Sequence, residues 1–153
     1  MKKNIAATPL SKTKATACPL CRGIGGTLLW RDQLCRIVIV RDADYAGYCR
    51  VIWNTHVKEM TDLPAPQRAH CMRVVFAVEQ AVRTVFTPDK INLASFGNMA
   101  PHLHWHVIPR FVDDAHFPNP VWGERQTAGK TTPTKPATAG WRSALREELA
   151  RLL

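Results

Sequence analysis

Long apolar runs are missing from this 153-residue chain. No stretch approaches the roughly 20 consecutive apolar residues that a membrane-spanning helix needs. The chain begins with Met1, Lys2 and Lys3, as a secretory signal can, but a polar and basic segment follows where the apolar core of a signal would stand. The sequence therefore predicts a cytoplasmic protein with no membrane partner.

The cysteines do not have the pattern of a disulfide framework, because there are five of them and no secretory signal. Cys35, Cys49 and Cys71 stand among apolar residues, which predicts small buried side chains. Cys18 and Cys21 form a CxxC pair instead, and two thiolates at this spacing can share one zinc ion. Redox chemistry and simple packing stay open as alternatives, since zinc needs two further ligands.

Acidic residues are few: 12 Asp and Glu face 21 Lys and Arg, for a formal net charge of +9. Excess positive charge suits an anionic partner, either a nucleotide or a nucleic acid. No known nucleic-acid-binding motif accompanies the charge, and several lysines lie in the expected tails. Residues 23–26 are rich in glycine but lack the Lys-Ser/Thr pair and the helix of a phosphate-binding loop, so we interpret them as a turn. A nucleotide is therefore favoured over a nucleic acid.

The pattern of apolar residues predicts an α+β domain. Runs rich in β-branched and apolar residues predict strands at 27–30, 35–40, 49–53 and 90–96. Apolar residues recur at helical spacing from 67 to 86, and Pro64 and Pro66 mark the start of this long helix. Residues 141–153 have the spacing of a short amphipathic helix, which must pack on its own domain or on a second copy of the chain.

Histidines alternate with large apolar residues from 102 to 107. Side chains of an extended strand alternate between its two faces, so three imidazoles share one face: His102, His104 and His106. The apolar residues between them point to a core. Neutral imidazole can serve as a nucleophile, a proton carrier or a metal ligand. Half of the six histidines of the chain lie in the five residues 102–106, which predicts a functional site.

The alternation over residues 102–108 resembles the signature of the histidine triad (HIT) family of nucleotide hydrolases and transferases, and the resemblance extends over about residues 18–122. It implies a HIT-like fold: an antiparallel sheet of about five strands with one long helix packed on it, in a homodimer. It also implies that His104 attacks an α-phosphorus and forms a nucleotidyl-histidine intermediate. The third histidine, His106, is typical of the hydrolase-type branch, of bacterial character, because a transferase branch has Gln there.

The resemblance implies nucleoside phosphoramidates or dinucleoside polyphosphates as substrates, with a nucleoside monophosphate as product. His102 and His106 would contact phosphate oxygens. Asn92 and Asn98 match family positions that do the same. An acidic residue between the second and third strands bonds the ribose in this family, and Asp42 or Asp44 stands there. A turn aspartate that bonds its own backbone is the alternative for either residue.

The CxxC pair also has a counterpart in the family. Some bacterial members carry a similar pair before the first strand and bind zinc with two histidines. The matching residues here are Cys18, Cys21, His56 and His102. Such a four-ligand site is structural, because no position stays open for water. No organic cofactor is expected.

Two departures from the family pattern keep other functions open. Tyr48 stands where many relatives have a histidine, and Met99 replaces a residue with a hydroxyl group. Both favour an alternative, a non-catalytic module that binds a nucleotide and zinc. The positive charge suggests a third possibility, a deadenylation enzyme that acts on nucleic acid.

Composition and resemblance together divide the chain into four parts. Residues 1–16 are polar and basic and are expected to form a disordered leader. Residues 17–122 are the expected HIT domain. Residues 123–140 are rich in Thr, Pro, Lys and Gly, which predicts a flexible linker. The short helix at 141–153 follows.

Overall fold

The computed structural model describes residues 17–126 and 140–153. The expected leader, 1–16, and most of the expected linker, 123–140, lie outside these residues. The described elements are α1 (Pro19–Arg22), β1 (Thr27–Arg31), β2 (Cys35–Ile39), β3 (Cys49–Trp53), a 3-10 helix (Met60–Asp62), α2 (Ala65–Phe86), β4 (Lys90–Ala94), β5 (His104–Arg110) and α3 (Trp141–Leu152). No helix in this part of the chain is long and apolar enough to cross a membrane.

The five strands form one antiparallel sheet in the order β1-β2-β3-β5-β4. The α+β prediction and all the predicted strands are confirmed, with ends that differ by one or two residues. Strand β5 lies between β3 and β4, so it is hydrogen-bonded on both sides. Its register places Arg50 opposite His106 and Ile52 opposite His104 on β3.

The core lies between one face of the sheet and α2. The helix buries a continuous apolar stripe: Cys71, Val74, Val75, Ala77, Val78, Ala81, Val82 and Phe86. Leu103 and Val107 meet this core from the sheet side, as their alternation with the histidines predicts. Burying one such aliphatic side chain contributes about 1.5–3 kcal/mol. Helix α2 starts at Ala65, two residues before the predicted start, because Pro66 fits the first turn of a helix.

Helix α3 packs on its own domain, which decides between the two predicted alternatives. Leu145 and Leu149 are fully buried in the main core. The ring of Trp141 meets Phe86 of α2 edge to face, with 5.2 Å between the ring centroids. The buried stripe of α3 is the one that its sequence spacing predicts.

The triad strand starts later than the sequence pattern suggests. Strand β5 begins at His104, and His102 lies in a bend before it. The amide of Leu103 donates to the carbonyl of Val57 at 2.7 Å, and the amide of Trp53 donates to the carbonyl of Leu103 at 3.1 Å. These bonds tie the segment before β5 to the last residue of β3 and to the chain that follows it. His102 therefore lies before the strand that carries His104 and His106, and not within it as the pattern predicts.

Candidate active site and metal centre

His104 and His106 project from β5 into a cavity of about 560 Å³, which Arg50 and Asn98 also line. They are two residues apart on one strand, so they share a face. Their ring centroids are 4.8 Å apart and the ring planes are at 73°. The two rings form one continuous wall of the cavity. His102 is fully buried and does not line this cavity.

The hydrogen bond of His104 fixes which ring nitrogen carries the proton. Nδ1 lies 2.6 Å from the backbone carbonyl of His102. A carbonyl can only accept, so Nδ1 carries the hydrogen and Nε2 keeps its lone pair. Burial lowers the pKa of His104, against the opposing effect of the bond to His102. The ring is therefore neutral near pH 7, with an unprotonated Nε2.

His106 has the opposite tautomer. Its Nδ1 lies 2.6 Å from the Tyr48 hydroxyl and 3.4 Å from Nε of Arg50. The guanidinium of Arg50 can only donate, so Nδ1 accepts, the Tyr48 hydroxyl donates, and the proton lies on Nε2. Burial, with the nearby His104 and Arg50, lowers the pKa of His106 to about 3. His106 is therefore a neutral ring that offers an N–H group.

Arg50 gives this cavity a permanent positive charge. It lies on β3 opposite His106, and its side chain lines the cavity. The sequence prediction missed this residue. A signal was present, because Arg50 is a single charged residue in the apolar run of β3. A cation at this place suits a phosphate group.

The four residues predicted to bind zinc lie together beside the cavity. The donor atoms of Cys18, Cys21, His56 and His102 all lie within 4.8 Å of one another. Nδ1 of His102 is 3.4 Å from both sulfurs, and Nδ1 of His56 is 3.3 Å from Sγ of Cys21. Tetrahedral zinc places sulfur and nitrogen ligands about 3.6 Å apart. The donor set and its spacing therefore fit a zinc ion.

Hydrogen bonds to backbone carbonyls hold His102 and the CxxC pair in place. Nε2 of His102 lies 2.6 Å from the carbonyl of Trp53, so it carries the proton and leaves Nδ1 free for a metal. The buried Arg36 donates to the carbonyls of Leu20, Gly23 and Ile24 at 2.6, 3.2 and 2.9 Å. These bonds hold α1, and with it the CxxC pair, against the sheet.

Among the aspartates and asparagines predicted to contact the nucleotide, only Asn98 lies at the cavity. Asp42 accepts a bond from the amide of Asp44 at 2.9 Å and lines a different cavity beside α3. The carboxylate of Asp44 pairs with Arg125. Asn92 accepts a bond from Arg110 at 2.7 Å and also lies outside this cavity.

A second group with metal-binding side chains is satisfied by hydrogen bonds. Asp32, Cys35 and His70 have donor atoms within 4.8 Å of one another. Nε2 of His70 lies 2.7 Å from the Asp32 carboxylate, and Nδ1 accepts from Arg73 at 2.9 Å. Both ring nitrogens thus have partners, and burial raises the pKa of the Cys35 thiol, which disfavours the thiolate that a metal needs.

The model of the HIT domain matches residues 23–113, which is more than half of the chain. The chain belongs to the HIT family. Two curated relatives from strains of Mycobacterium tuberculosis, each named AP-4-A phosphorylase, are 26% identical to this HIT protein over 106 residues, or 65% of the chain. The chain spans about half the length of these relatives, since the match covers 54% of them.

Solved structures of HIT proteins have the same fold. A histidine triad protein from Bradyrhizobium japonicum has a TM-score of 0.68 and 28% identity, and the match covers 82% of this chain and 92% of that one. A Zn-bound histidine triad family protein from Mycobacterium smegmatis has a TM-score of 0.62 at 21% identity, over 90% of this chain and 96% of that one. The second likeness concerns the fold alone.

Proposed function

We propose that this HIT protein hydrolyses nucleotides at the α-phosphate through a nucleotidyl intermediate on His104. Nucleoside phosphoramidates and dinucleoside polyphosphates are the proposed substrates, and a nucleoside monophosphate is the product. The observation that carries the proposal is the bond from Nδ1 of His104 to the carbonyl of His102, at 2.6 Å. It leaves Nε2 with a lone pair in a cavity that also contains Arg50 and Asn98.

The reaction then proceeds in two displacements. Nε2 of His104 forms a bond to the α-phosphorus, and the bond from phosphorus to the leaving group breaks with its electron pair. The Nε2–H group of His106 is placed to donate a hydrogen bond to a phosphate oxygen. The leaving group takes its proton from solvent. Arg50 offsets the negative charge of the phosphate. In the second step water attacks the phosphorus and loses a proton to solvent. The bond to Nε2 breaks, its electron pair returns to the ring as the lone pair, and the nucleoside monophosphate leaves.

The test of this proposal compares the wild type with His104→Ala. Both proteins are incubated with adenosine phosphoramidate and with diadenosine tetraphosphate, and release of adenosine monophosphate is measured. We expect release by the wild type and a loss of at least about a thousandfold in the variant, since removing a nucleophile removes the covalent route. The mass of a protein quenched in mid-reaction should increase by one nucleotidyl group on His104. Turnover that survives in His104→Ala would contradict the nucleophile assignment.

A second candidate is phosphorolysis, because the curated relatives are named AP-4-A phosphorylase. Inorganic phosphate in place of water would convert diadenosine tetraphosphate to ADP and ATP. Running the same assay with and without phosphate separates the two acceptors by their products. The non-catalytic alternative predicts that adenosine monophosphate binds and that no product forms with either acceptor.

We also propose a structural zinc ion held by Cys18, Cys21, His56 and His102. The spacing of their donor atoms supports it, and the histidine triad family protein of the same fold from Mycobacterium smegmatis is Zn-bound. With four protein ligands the ion would hold the segment before β1 and the bend before β5 together, and would take no part in the chemical step.

The zinc proposal predicts about one equivalent of zinc in the purified protein. Metal analysis of the wild type and of Cys21→Ser measures this, and the variant should lose the ion because one of four ligands is gone. Cys71→Ala is the matched control, since it removes a buried thiol in α2 that lies outside the cluster. Wild-type protein with reduced cysteines and no zinc would contradict the proposal.

A further inference from the structure

Two large aromatic side chains that line the cavity are half exposed. Phe96 follows β4, and Trp122 follows the loop after β5; they are 52% and 51% exposed. Their rings meet edge to face, with centroids 4.7 Å apart and planes at 77°. Both side chains line the cavity that contains His104 and His106. We call Phe96 and Trp122 the aromatic pair.

The backbone near Trp122 is fixed, so its exposure is not the result of a poorly attached segment. The loop after β5 is held by Arg110, which forms two bonds to Asp114, at 2.6 and 3.0 Å, in a buried ion pair. The same guanidinium donates to the carbonyl of Asn119 at 2.8 Å. Beyond Trp122, the amide of Gln126 donates to the carbonyl of Ala115 at 2.9 Å. The chain is therefore anchored on both sides of the Trp122 ring.

The aromatic pair lies next to His106. The Trp122 ring centroid is 5.1 Å from that of His106, and the Phe96 centroid is 6.1 Å from it. Leu20 also lines the cavity and packs on Val38 and Ile52 of β2 and β3. A phosphorus atom at His104 would thus lie in a cavity that has apolar lining residues, and the aromatic pair contributes flat rings to that lining.

Half-exposed rings beside a phosphate site are suited to one kind of ligand group. Flat aromatic faces stack on other planar rings, and such contacts to nucleobases are sequence-tolerant because every base has a π-face. We infer that the aromatic pair is a stacking subsite for a planar aromatic ring of the substrate. The inference rests on the proposed function, because it places the reacting phosphorus at His104. The ring can belong to the nucleobase or to the leaving group, and the chemistry of the contact is the same.

The test uses Phe96→Leu and Trp122→Leu, which keep an apolar side chain and remove the ring. Phe76→Leu is the matched control, because Phe76 is 55% exposed on α2 and does not line this cavity. Thermal unfolding of all three variants should stay within a few degrees of the wild type. Two pairs of probes are then compared. Adenosine monophosphate and ribose 5-phosphate differ in the base, and adenosine phosphoramidates of benzylamine and cyclohexylmethylamine differ in the planarity of the leaving group.

The two sources of the ring give different results. If the pair holds the base, the affinity for adenosine monophosphate, measured by calorimetry, falls about tenfold in Phe96→Leu and Trp122→Leu, and binding of ribose 5-phosphate is unchanged. If the pair holds the leaving group, kcat/KM for the benzylamine compound falls about tenfold, and that for the cyclohexylmethylamine compound is unchanged. Phe76→Leu should match the wild type throughout. Equal behaviour of both cavity variants and the wild type with all four probes would overturn the inference.

The outcomes also separate this inference from the proposed function. A wild type that binds adenosine monophosphate through the aromatic pair but hydrolyses nothing would end the hydrolase proposal and keep the subsite. If the wild type hydrolyses both phosphoramidates, and Phe96→Leu and Trp122→Leu match it in kcat/KM for both and in affinity for adenosine monophosphate, the hydrolase proposal stands and the subsite is excluded. A protein that binds none of the four probes would end both.

Discussion

At the scale of single residues, the direction of one hydrogen bond distinguishes His104 from His106. Nδ1 of His104 donates to a carbonyl, whereas Nδ1 of His106 accepts from Tyr48. Two neutral rings of the same kind therefore present opposite groups, a lone pair on one Nε2 and an N–H on the other. Tyr48, a departure from the family pattern, is in this arrangement a positioning residue for His106.

The residue to change is Tyr48. Tyr48→Phe removes the donor to Nδ1 of His106 and keeps the ring, so His106 should populate both tautomers. We expect kcat to fall about tenfold, which corresponds to one lost hydrogen bond of about 1.4 kcal/mol, with little change in KM. Nitrogen-15 NMR of the imidazole reports the tautomer directly.

Tyr45→Phe is the control for this experiment. The Tyr45 hydroxyl bonds Asp114 and His116, and its ring does not line the cavity. The control loses a comparable buried bond, so it should lose comparable stability with no change in the His106 signals. Identical NMR spectra of His106 in the wild type and in Tyr48→Phe would contradict the positioning role.

The sequence predicted those residues of the site that belong to a local sequence pattern. The alternation at His104 and His106 and the CxxC pair are local patterns, and the structure brings each group together. Asn92 is different, because its partner Arg110 removes it from the cavity and no local pattern reveals that bond. Trp122 was missed since its position depends on the loop after β5, which no periodicity describes.

At the scale of secondary-structure elements, local patterns determine the strands and α2, and long-range bonds determine their ends. The β-branched runs and the helical stripe lie within single elements, so the sequence alone locates them. The start of β5 depends instead on Val57, whose carbonyl accepts a hydrogen bond from the amide of Leu103. The short helix α1 depends on Arg36 of β2, whose guanidinium bonds the carbonyls around it. Such contacts join residues far apart in sequence.

Arg36 gives the prediction at this scale. Arg36→Leu leaves the carbonyls of Leu20, Gly23 and Ile24 without their charged donor, so we expect α1 to detach and the protein to lose roughly 3 kcal/mol of stability. Hydrogen exchange should speed up for residues 18–26, and zinc should dissociate at a lower chelator concentration. Arg68→Leu is the control, because Arg68 also donates to a backbone carbonyl, that of Leu63 just before α2, and has no bond to the described residues 18–26. Unchanged exchange at 18–26 would contradict this role of Arg36.

At the scale of the whole molecule, burial of the histidine pair makes the fold sensitive to acid. The pKa of His106 falls from 6.5 to about 3 on folding, chiefly through burial. Below pH 6.5 the unfolded chain binds a proton there that the folded chain does not, so stability falls as the pH falls towards 3. At pH 5 the loss from this residue is about 2 kcal/mol relative to pH 7.5.

Urea unfolding at pH 7.5 and pH 5 measures this effect. The free energy of unfolding of the wild type should fall more between the two pH values than that of His106→Gln, whose side chain does not titrate. The difference between the two falls in free energy isolates His106, because both proteins share the other titrating groups, including the cluster proposed to bind zinc. An equal fall in the free energy of unfolding for both proteins would show that His106 binds its proton as readily in the folded as in the unfolded chain, and would contradict the lowered pKa.

Assembly also belongs to this scale. The family resemblance implies a homodimer, and this stays a prediction for the present chain, as does a cytoplasmic location. Light scattering at micromolar concentration measures the mass in solution. The expected value is twice the 17.2 kDa of one chain.

The place of β5 inside the sheet has one more consequence. Strands at a sheet edge open and close locally, whereas a strand paired on both sides separates only when the surrounding structure does. His104 and His106 lie on such an inner strand. The two side chains are thus protected from fraying, and their geometry should persist until cooperative denaturation. Phe96 and Trp122 lie on the loops beyond the strands, so they are free to differ among relatives without disturbing the geometry of the two histidines.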